Sequence, residues 1–258
     1  MGVCIAVTSG KGGVGKSTLC INMGIVLASQ GYRVCLIDVD LGLKNLDIMM
    51  GLENRVYYDL MDVLKGRCPL NKALIKDKRC SDLYLLPACK SVNVQTFDGK
   101  DLCVVVDELK QCFDYILLDT PAGIESGFHH ALMCAQQVIL VSTLDVASLQ
   151  DADRVIGLLY KEGINKISCV MNRVNPHHIE KGYSVKLEEA LAWLSVDLLG
   201  VVYDDELIIR GNNRGLPAVL NQMSNTYECM KALVLRLLGN DVPIPKFKEK
   251  TLLQRIFS

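Results

Sequence analysis

Gly10-Lys11-Gly12-Gly13-Val14-Gly15-Lys16-Ser17 stands directly after an apolar run at residues 3–8 and opens a helix-period segment at residues 16–30. G-x-x-x-x-G-K-[ST] between a strand and a helix reads as a phosphate-binding loop. The glycines let the backbone curl until successive N–H groups face the phosphates, and the helix N-terminus adds the positive end of its dipole. Lys16 supplies a point charge, the Ser17 hydroxyl suits magnesium, and Thr18 assists beside it. A plain Gly-rich turn would share the glycines, but here the match and its setting agree independently. Residues 10–18 are therefore the candidate site for ATP or ADP with Mg2+.

Outward from this loop, runs rich in Val and Ile recur at residues 33–38, 83–86, 115–119, 138–142, 166–172 and 199–202. Helix-period segments lie between most of them, at 101–112, 147–162 and 185–194. That alternation predicts an α/β P-loop NTPase: a mainly parallel twisted sheet of about seven or eight strands, with helices on both faces. Gly31 and Gly163 punctuate helix ends. A last helix near 224–238 stops at Gly239, and two prolines, Pro243 and Pro245, follow it. The expected organisation is an ATPase domain at 1–239, a linker at 240–250 and a short tail helix at 251–258.

The chain has 258 residues, half of them apolar, enough for one large core. A net charge of −1 gives no global attraction to nucleic acid. Eleven cysteines without any C-x-x-C pair read as reduced thiols packed like small apolar groups. Residues 1–8 enter a strand with no basic and apolar leader pattern, so a cytoplasmic protein is expected. No window holds the roughly 18 apolar residues of a spanning helix, so membrane contact should be peripheral. His129-His130 and His177-His178 lack the spacing and acidic neighbours of a zinc site.

Lys11 is a second lysine where an ordinary P-loop tolerates almost anything. The K-G-G-x-G-K-[ST] form resembles the deviant Walker A motif of the MinD, ParA and nitrogenase iron-protein family. The resemblance implies that Lys11 crosses a dimer interface to the partner's phosphates, as an arginine finger does, and that hydrolysis requires an ATP-bound homodimer. Alone, Lys11 would be a solvated loop charge.

Asp38-Val39-Asp40, followed by Leu41-Gly42-Leu43-Lys44-Asn45, places acids at the carboxyl end of a strand, where a crevice opens. It looks like the family's switch I, which implies Asp38 near the magnesium shell, Asp40 orienting the attacking water and Asn45 supporting the switch. A helix N-cap would also explain one of these acids. Leu117-Leu118-Asp119-Thr120-Pro121-Ala122-Gly123 ends an apolar strand in an aspartate, as a Walker B carboxylate reaching magnesium through water requires. The D-x-P-A-G form resembles switch II, where Gly123 would swing its amide toward a γ-phosphate. By the same resemblance Asn172 and Arg173 lie at the adenine edge, with a turn-closing asparagine as the alternative. Asp205 is the candidate from a base-proximal loop whose usual proline is missing.

Thr251-Leu252-Leu253-Gln254-Arg255-Ile256-Phe257-Ser258 separates on a helical wheel, with Leu252, Leu253, Ile256 and Phe257 within about 140°. Lys246, Lys248, Lys250 and Arg255 against Glu249 suit anionic lipid, although a helix docked on its own domain would share the apolar face. Two such tails on one dimer raise apparent affinity by roughly 10²–10⁴, so ATP-driven pairing would become reversible attachment to the inner face of the cell membrane.

The resemblance further implies regulation of septum placement through a MinC-like division inhibitor, with a MinE-like or other topological factor as competitor. Asp151 and Asp153 are the candidate partner contacts, although helix-dipole complementarity explains acids there too. A ParA-type DNA or cargo-partition ATPase would need a basic dimer surface, which the balanced charge opposes, so no sequence-specific nucleic acid is expected. An iron–sulfur scaffold would need interface cysteines, and no C-x-x-C exists.

Overall fold

The computed structural model describes residues 1–40, 46–89, 97–123 and 126–247. The strands are β1 (Val3–Thr8), β2 (Val34–Asp38), β3 (Ile75–Lys76), β4 (Leu83–Leu86), β5 (Tyr115–Asp119), β6 (Gln137–Ser142), β7 (Ile167–Val174) and β8 (Asp197–Tyr203). They form one sheet in the order β3-β4-β2-β5-β1-β6-β7-β8, parallel throughout except for the antiparallel pair β3–β4. The helices are α1 (Lys16–Ser29), α2 (Leu46–Met49), α3 (Leu60–Leu64), α4 (Leu70–Ala73), α5 (Gly99–Leu109) and α6 (Ser126–Cys134). They continue as α7 (Val146–Lys161), α8 (Pro176–Glu180), α9 (Leu187–Leu194), α10 (Glu206–Asn212) and α11 (Asn225–Leu237).

The central strands read as unbroken apolar runs because both of their faces are covered. Along β1, Ile5 and Val7 join a cluster with Leu19 of α1 and Leu233 of α11. Cys4 points to the opposite face, into a cluster with Val106 of α5, and Ala6 on that same face meets Leu149 of α7. The twofold period of a strand thus sorts one short segment into two cores.

The strands and helices expected within residues 1–239 are present with small boundary shifts. The helix expected at 101–112 starts earlier, because the Asp98 carboxylate accepts the Lys100 N–H at 3.0 Å and caps it. The strand expected at 166–172 runs on to Val174 through a bulge. β3 was not expected, since two residues carry no periodicity. Gly31, Gly163 and Gly239 follow helices with φ of 89°, 78° and 87°, as their punctuation required.

Residues 240–247 form neither helix nor strand, yet they are tied down. The Arg236 guanidinium donates to the carbonyls of Leu198, Leu199 and Val242. The Tyr203 hydroxyl donates to the Pro245 carbonyl at 2.9 Å, and Phe247 meets the Tyr203 ring edge-on at 5.1 Å. The tail residues Lys250, Leu252, Leu253, Arg255, Ile256 and Phe257 lie outside the described residues, as does Asn45. Among the described residues no helix is long and apolar enough to cross a membrane.

Candidate nucleotide site

The site residues converge at the carboxyl ends of the parallel strands. β1 delivers the phosphate loop between β5 and β6, and β2 and β5 bring Asp38 and Asp119 into register beside it. This is the crevice where open α/β sheets bind ligands. Gly13 and Gly15 take φ of 77° and 101°, a region closed to most side chains. A Cβ on Gly15 would fall 2.2 Å from Asn172 Nδ2, and one on Gly10 would fall 2.4 Å from the Asp151 backbone. The loop is therefore seated on the end of β7 and on α7, while Gly12 and Gly13 present an open inner curve.

Lys16 is buried, and that burial pushes its ammonium down from the ordinary lysine range, with Asp119 and Asp40 pulling the other way. Asp119 is 2% exposed. Burial raises its carboxyl to about 7, against a hydrogen bond from Ser17 and the Lys16 charge, while Asp40 adds to the rise. Its Oδ1 is buried with no hydrogen-bond partner. A buried carboxylate oxygen left this way costs free energy unless a cation or donor reaches it. With the Ser17 hydroxyl against it and Asp38 on the neighbouring strand, this hard oxygen set fits a divalent cation such as magnesium.

Asp38 also does the capping that the sequence left open. Its Oδ1 accepts the Asp40 N–H at 3.1 Å and its Oδ2 accepts the Leu46 N–H at 3.4 Å, so one carboxylate ties Asp40 to the start of α2. Asp40 itself is half-buried. On the switch II side the Gly123 amide, at φ 81°, donates to the Ser9 carbonyl at 3.0 Å. In this state it rests on the phosphate loop.

Lys11 is not drawn inward. Its side chain is 48% exposed, and its ammonium lies 3.6 Å from Asp145 Oδ1. Asp145 caps α7 through the Ser148 N–H at 3.0 Å. Burial alone would raise its carboxyl, but hydrogen bonds from Thr143 and Ser148 and the Lys11 charge hold it below the usual range.

The residues expected at the base each have partners within the fold. Asn172 is buried, and its Nδ2 donates to the Val14 carbonyl at 2.7 Å, bracing the phosphate loop from below. The bulge in β7 makes this possible: Arg173 sits at φ 54° and is itself exposed. Asp205 accepts the Leu207 N–H at 3.0 Å and the Thr226 hydroxyl at 2.8 Å, so it caps α10 and ties it to α11. Thr18 is buried, and its hydroxyl accepts from Asn212 Nδ2 at 3.0 Å. Asn22 donates to the Thr18 carbonyl at 2.7 Å and accepts the Val219 N–H at 3.1 Å. Asn22 and Asn212 were missed by sequence reasoning; for Asn22 the available signal was one amide within the apolar run from Leu19 to Leu27. Asp151 is half-buried and paired with Arg154 at 3.4 Å, and Asp153 is exposed on the same helix.

A parallel sheet with a glycine loop, an inward lysine, a buried acid on the neighbouring strand and an outward second lysine defines a P-loop nucleotide-binding protein. Residues 5–218 match the CobQ/CobB/MinD/ParA nucleotide binding domain family. The chain belongs to that family and, within it, to the MinD septum site-determining proteins. It is 44% identical over 252 residues to septum site-determining protein MinD of Bacillus subtilis, covering 97% of this chain and 94% of that one. The MinC:MinD cell division protein complex of Aquifex aeolicus superposes with a TM-score of 0.90 at 39% identity, covering 96% of this chain and 100% of that one. MinD of Pyrococcus horikoshii complexed with Mg-ADP gives 0.83 at 30% identity, covering 92% and 96%.

Proposed function

We propose that this chain hydrolyses ATP to ADP and phosphate as a nucleotide-dependent homodimer that attaches peripherally to the cytoplasmic membrane and recruits a MinC-like inhibitor to regulate septum placement. The observation that carries the reading is the contrast between two lysines of one loop, Lys16 buried and Lys11 half exposed. A charge at the mouth of the site is suited to reach a second copy's phosphates, whereas a charge already inside serves its own.

Each residue then has a task. The loop amides and Lys16 bind the phosphates and stabilise the charge that develops on them. Ser17 would ligate magnesium, with Asp119 and Asp38 holding its water shell; bound magnesium supplies neutralisation of phosphate charge. Asp40 orients the attacking water, and Lys11 from the partner completes the site once it leaves Asp145. Gly123 releases the Ser9 carbonyl to meet the γ-phosphate, which tells switch II that ATP is present. Asn45 supports switch I, and the residues 251–258 place Leu252, Leu253, Ile256 and Phe257 in lipid, with Lys250 and Arg255 at anionic headgroups. Asp151 and Asp153 on α7 face the inhibitor and a MinE-like or other topological factor. The 97% coverage of a MinD relative supports this division of labour across the chain.

Liposome sedimentation with ATP, ADP, Asp40→Ala and a chain cut after Pro245 tests the coupling. ATP should pellet the full chain, Asp40→Ala should pellet without turnover, and the cut chain should stay in solution. Pelleting with ADP, or pelleting of the cut chain, would overturn the reading.

A further inference from the structure

Most of the eleven cysteines pack as small apolar groups, but two of them meet. Cys103 of α5 and Cys134 in the last turn of α6 bring their sulfurs within 2.8 Å. Cys103 is partly exposed and Cys134 is buried. The two helices are already pressed together here: a Cβ on Gly99 would fall 2.6 Å from the Met133 sulfur and 3.2 Å from His130 Cα. The opposite end of α6 reaches the nucleotide site. A Cβ on Gly127 would fall 2.9 Å from Pro121 Cγ and 3.6 Å from the Val39 carbonyl, so its first turn abuts both switch segments. One rigid helix thus carries a thiol pair at one end and bears on the nucleotide-sensing loops at the other.

We propose that Cys103 and Cys134 form an oxidative modification site, which hydrogen peroxide closes into an intrachain disulfide that pins α6 to α5 and slows nucleotide turnover. In the first step the Cys103 thiol gives up its proton and the thiolate attacks one peroxide oxygen: the S–O bond forms, the O–O bond breaks, and the leaving hydroxide takes up the released proton as water, leaving a sulfenic acid. In the second the Cys134 thiol likewise ionises and its thiolate attacks the Cys103 sulfur: the S–S bond forms, the S–O bond breaks, and the leaving hydroxide takes up that proton as a second water. The two sulfurs lose two electrons and peroxide gains them. The order follows access, since oxidant reaches the partly exposed Cys103 before the buried Cys134. Closing the bond needs the sulfurs to approach by roughly 0.8 Å, within the reach of a side-chain rotation. Burial pushes the Cys134 thiol up, followed by its hydrogen bond with Cys103, so the second step accelerates as pH rises.

The slowing of turnover rests on the ATPase reading, whereas the thiol assignment does not, and one experiment separates them. The full chain is treated with a small excess of hydrogen peroxide, alkylated, digested and read by mass spectrometry, with ATPase activity assayed before and after dithiothreitol. A linked peptide containing Cys103 and Cys134 is expected, formed faster at higher pH, with activity falling several-fold and recovering on reduction. Cys103→Ser and Cys134→Ala should form no link and keep their activity after peroxide; if Cys134→Ala folds poorly, Cys103→Ala serves as the second variant. Pairing of other cysteines, continued alkylation of Cys103, or full turnover by the linked chain would overturn the proposal. A chain with no ATPase activity would sink the proposed function, while the linked peptide would still decide the thiol site.

Discussion

Asp119 carries a carboxyl that water no longer reaches, and that burial raises it to about 7. In the unfolded chain an aspartate titrates near 4. A folded value above the unfolded one means the neutral carboxyl is favoured on folding: that contribution is complete below about pH 4 and is lost as pH rises through about 7. The nucleotide-free chain should therefore lose on the order of 1 kcal/mol, about 2–4 °C in Tm, between about pH 6 and pH 8. Asp119→Asn should flatten that slope in thermal melts, and a wild-type Tm that does not fall over this interval would count against the buried-acid account. Lys16, Ser17 and Asp119 were legible in the sequence because phosphate and magnesium demand those groups at fixed offsets from a strand end. Asn172, Asp145 and Asp205 were not legible in the same way. Their partners, Val14, Lys11 and Thr226, are set by how β7, α7 and α11 pack, which no local spacing records.

At the scale of elements, the apolar runs were legible because burial on both faces removes any need for polar alternation. β3 was hidden because its pairing is imposed by the edge of β4 rather than by its own two residues. Its surroundings are instead held by one arginine. Arg79 donates to both Asp77 carboxylate oxygens, to the Gly215 carbonyl at 2.8 Å and to the Met50 carbonyl at 2.7 Å. It joins the β3–β4 hairpin to the turn after α2 and to the loop after α10, and so stiffens the frame behind switch I. Asp77 is 3% exposed. Burial would raise its carboxyl, but the Arg79 hydrogen bonds and charge hold it below the usual range. Arg79→Met leaves that charge buried without its guanidinium, with only the backbone N–H groups of residues 79 and 80 as partners, and should cost about 3 kcal/mol in denaturant unfolding at neutral pH. Because the folded value is depressed, the contribution is present above about pH 4 and is lost as pH falls further, through the depressed folded value. The gap between wild type and Arg79→Met should thus narrow in acid; a constant gap would assign the loss to packing instead.

At the scale of the whole molecule, the segment after α11 decides how closely the ATPase domain is held to whatever the tail binds. Two prolines mark residues 240–250 as a break in regular structure, and a flexible tether of eleven residues is the simple reading. Yet 240–247 are strapped to β8 through Tyr203 and Arg236, with Phe247 on the Tyr203 ring. On the proposed reading of 251–258 as the lipid-binding helix, three residues, 248–250, separate the strapped segment from it in sequence. Three residues span at most about 10 Å, against roughly 36 Å for eleven. Effective concentration falls roughly as the −3/2 power of tether length once the span is exceeded, so releasing the strap should weaken two-tailed binding roughly fivefold to tenfold. Tyr203→Phe combined with Phe247→Ala removes the hydroxyl bond to Pro245 and the ring contact while leaving residues 251–258 intact. The weakening should appear with ATP, where two tails act together, and not for a single tail fused to an unrelated monomeric carrier. Equal loss in both settings would mean that Phe247 itself enters the lipid, and unchanged binding by the ATP form would mean that the strap is packing without consequence for attachment.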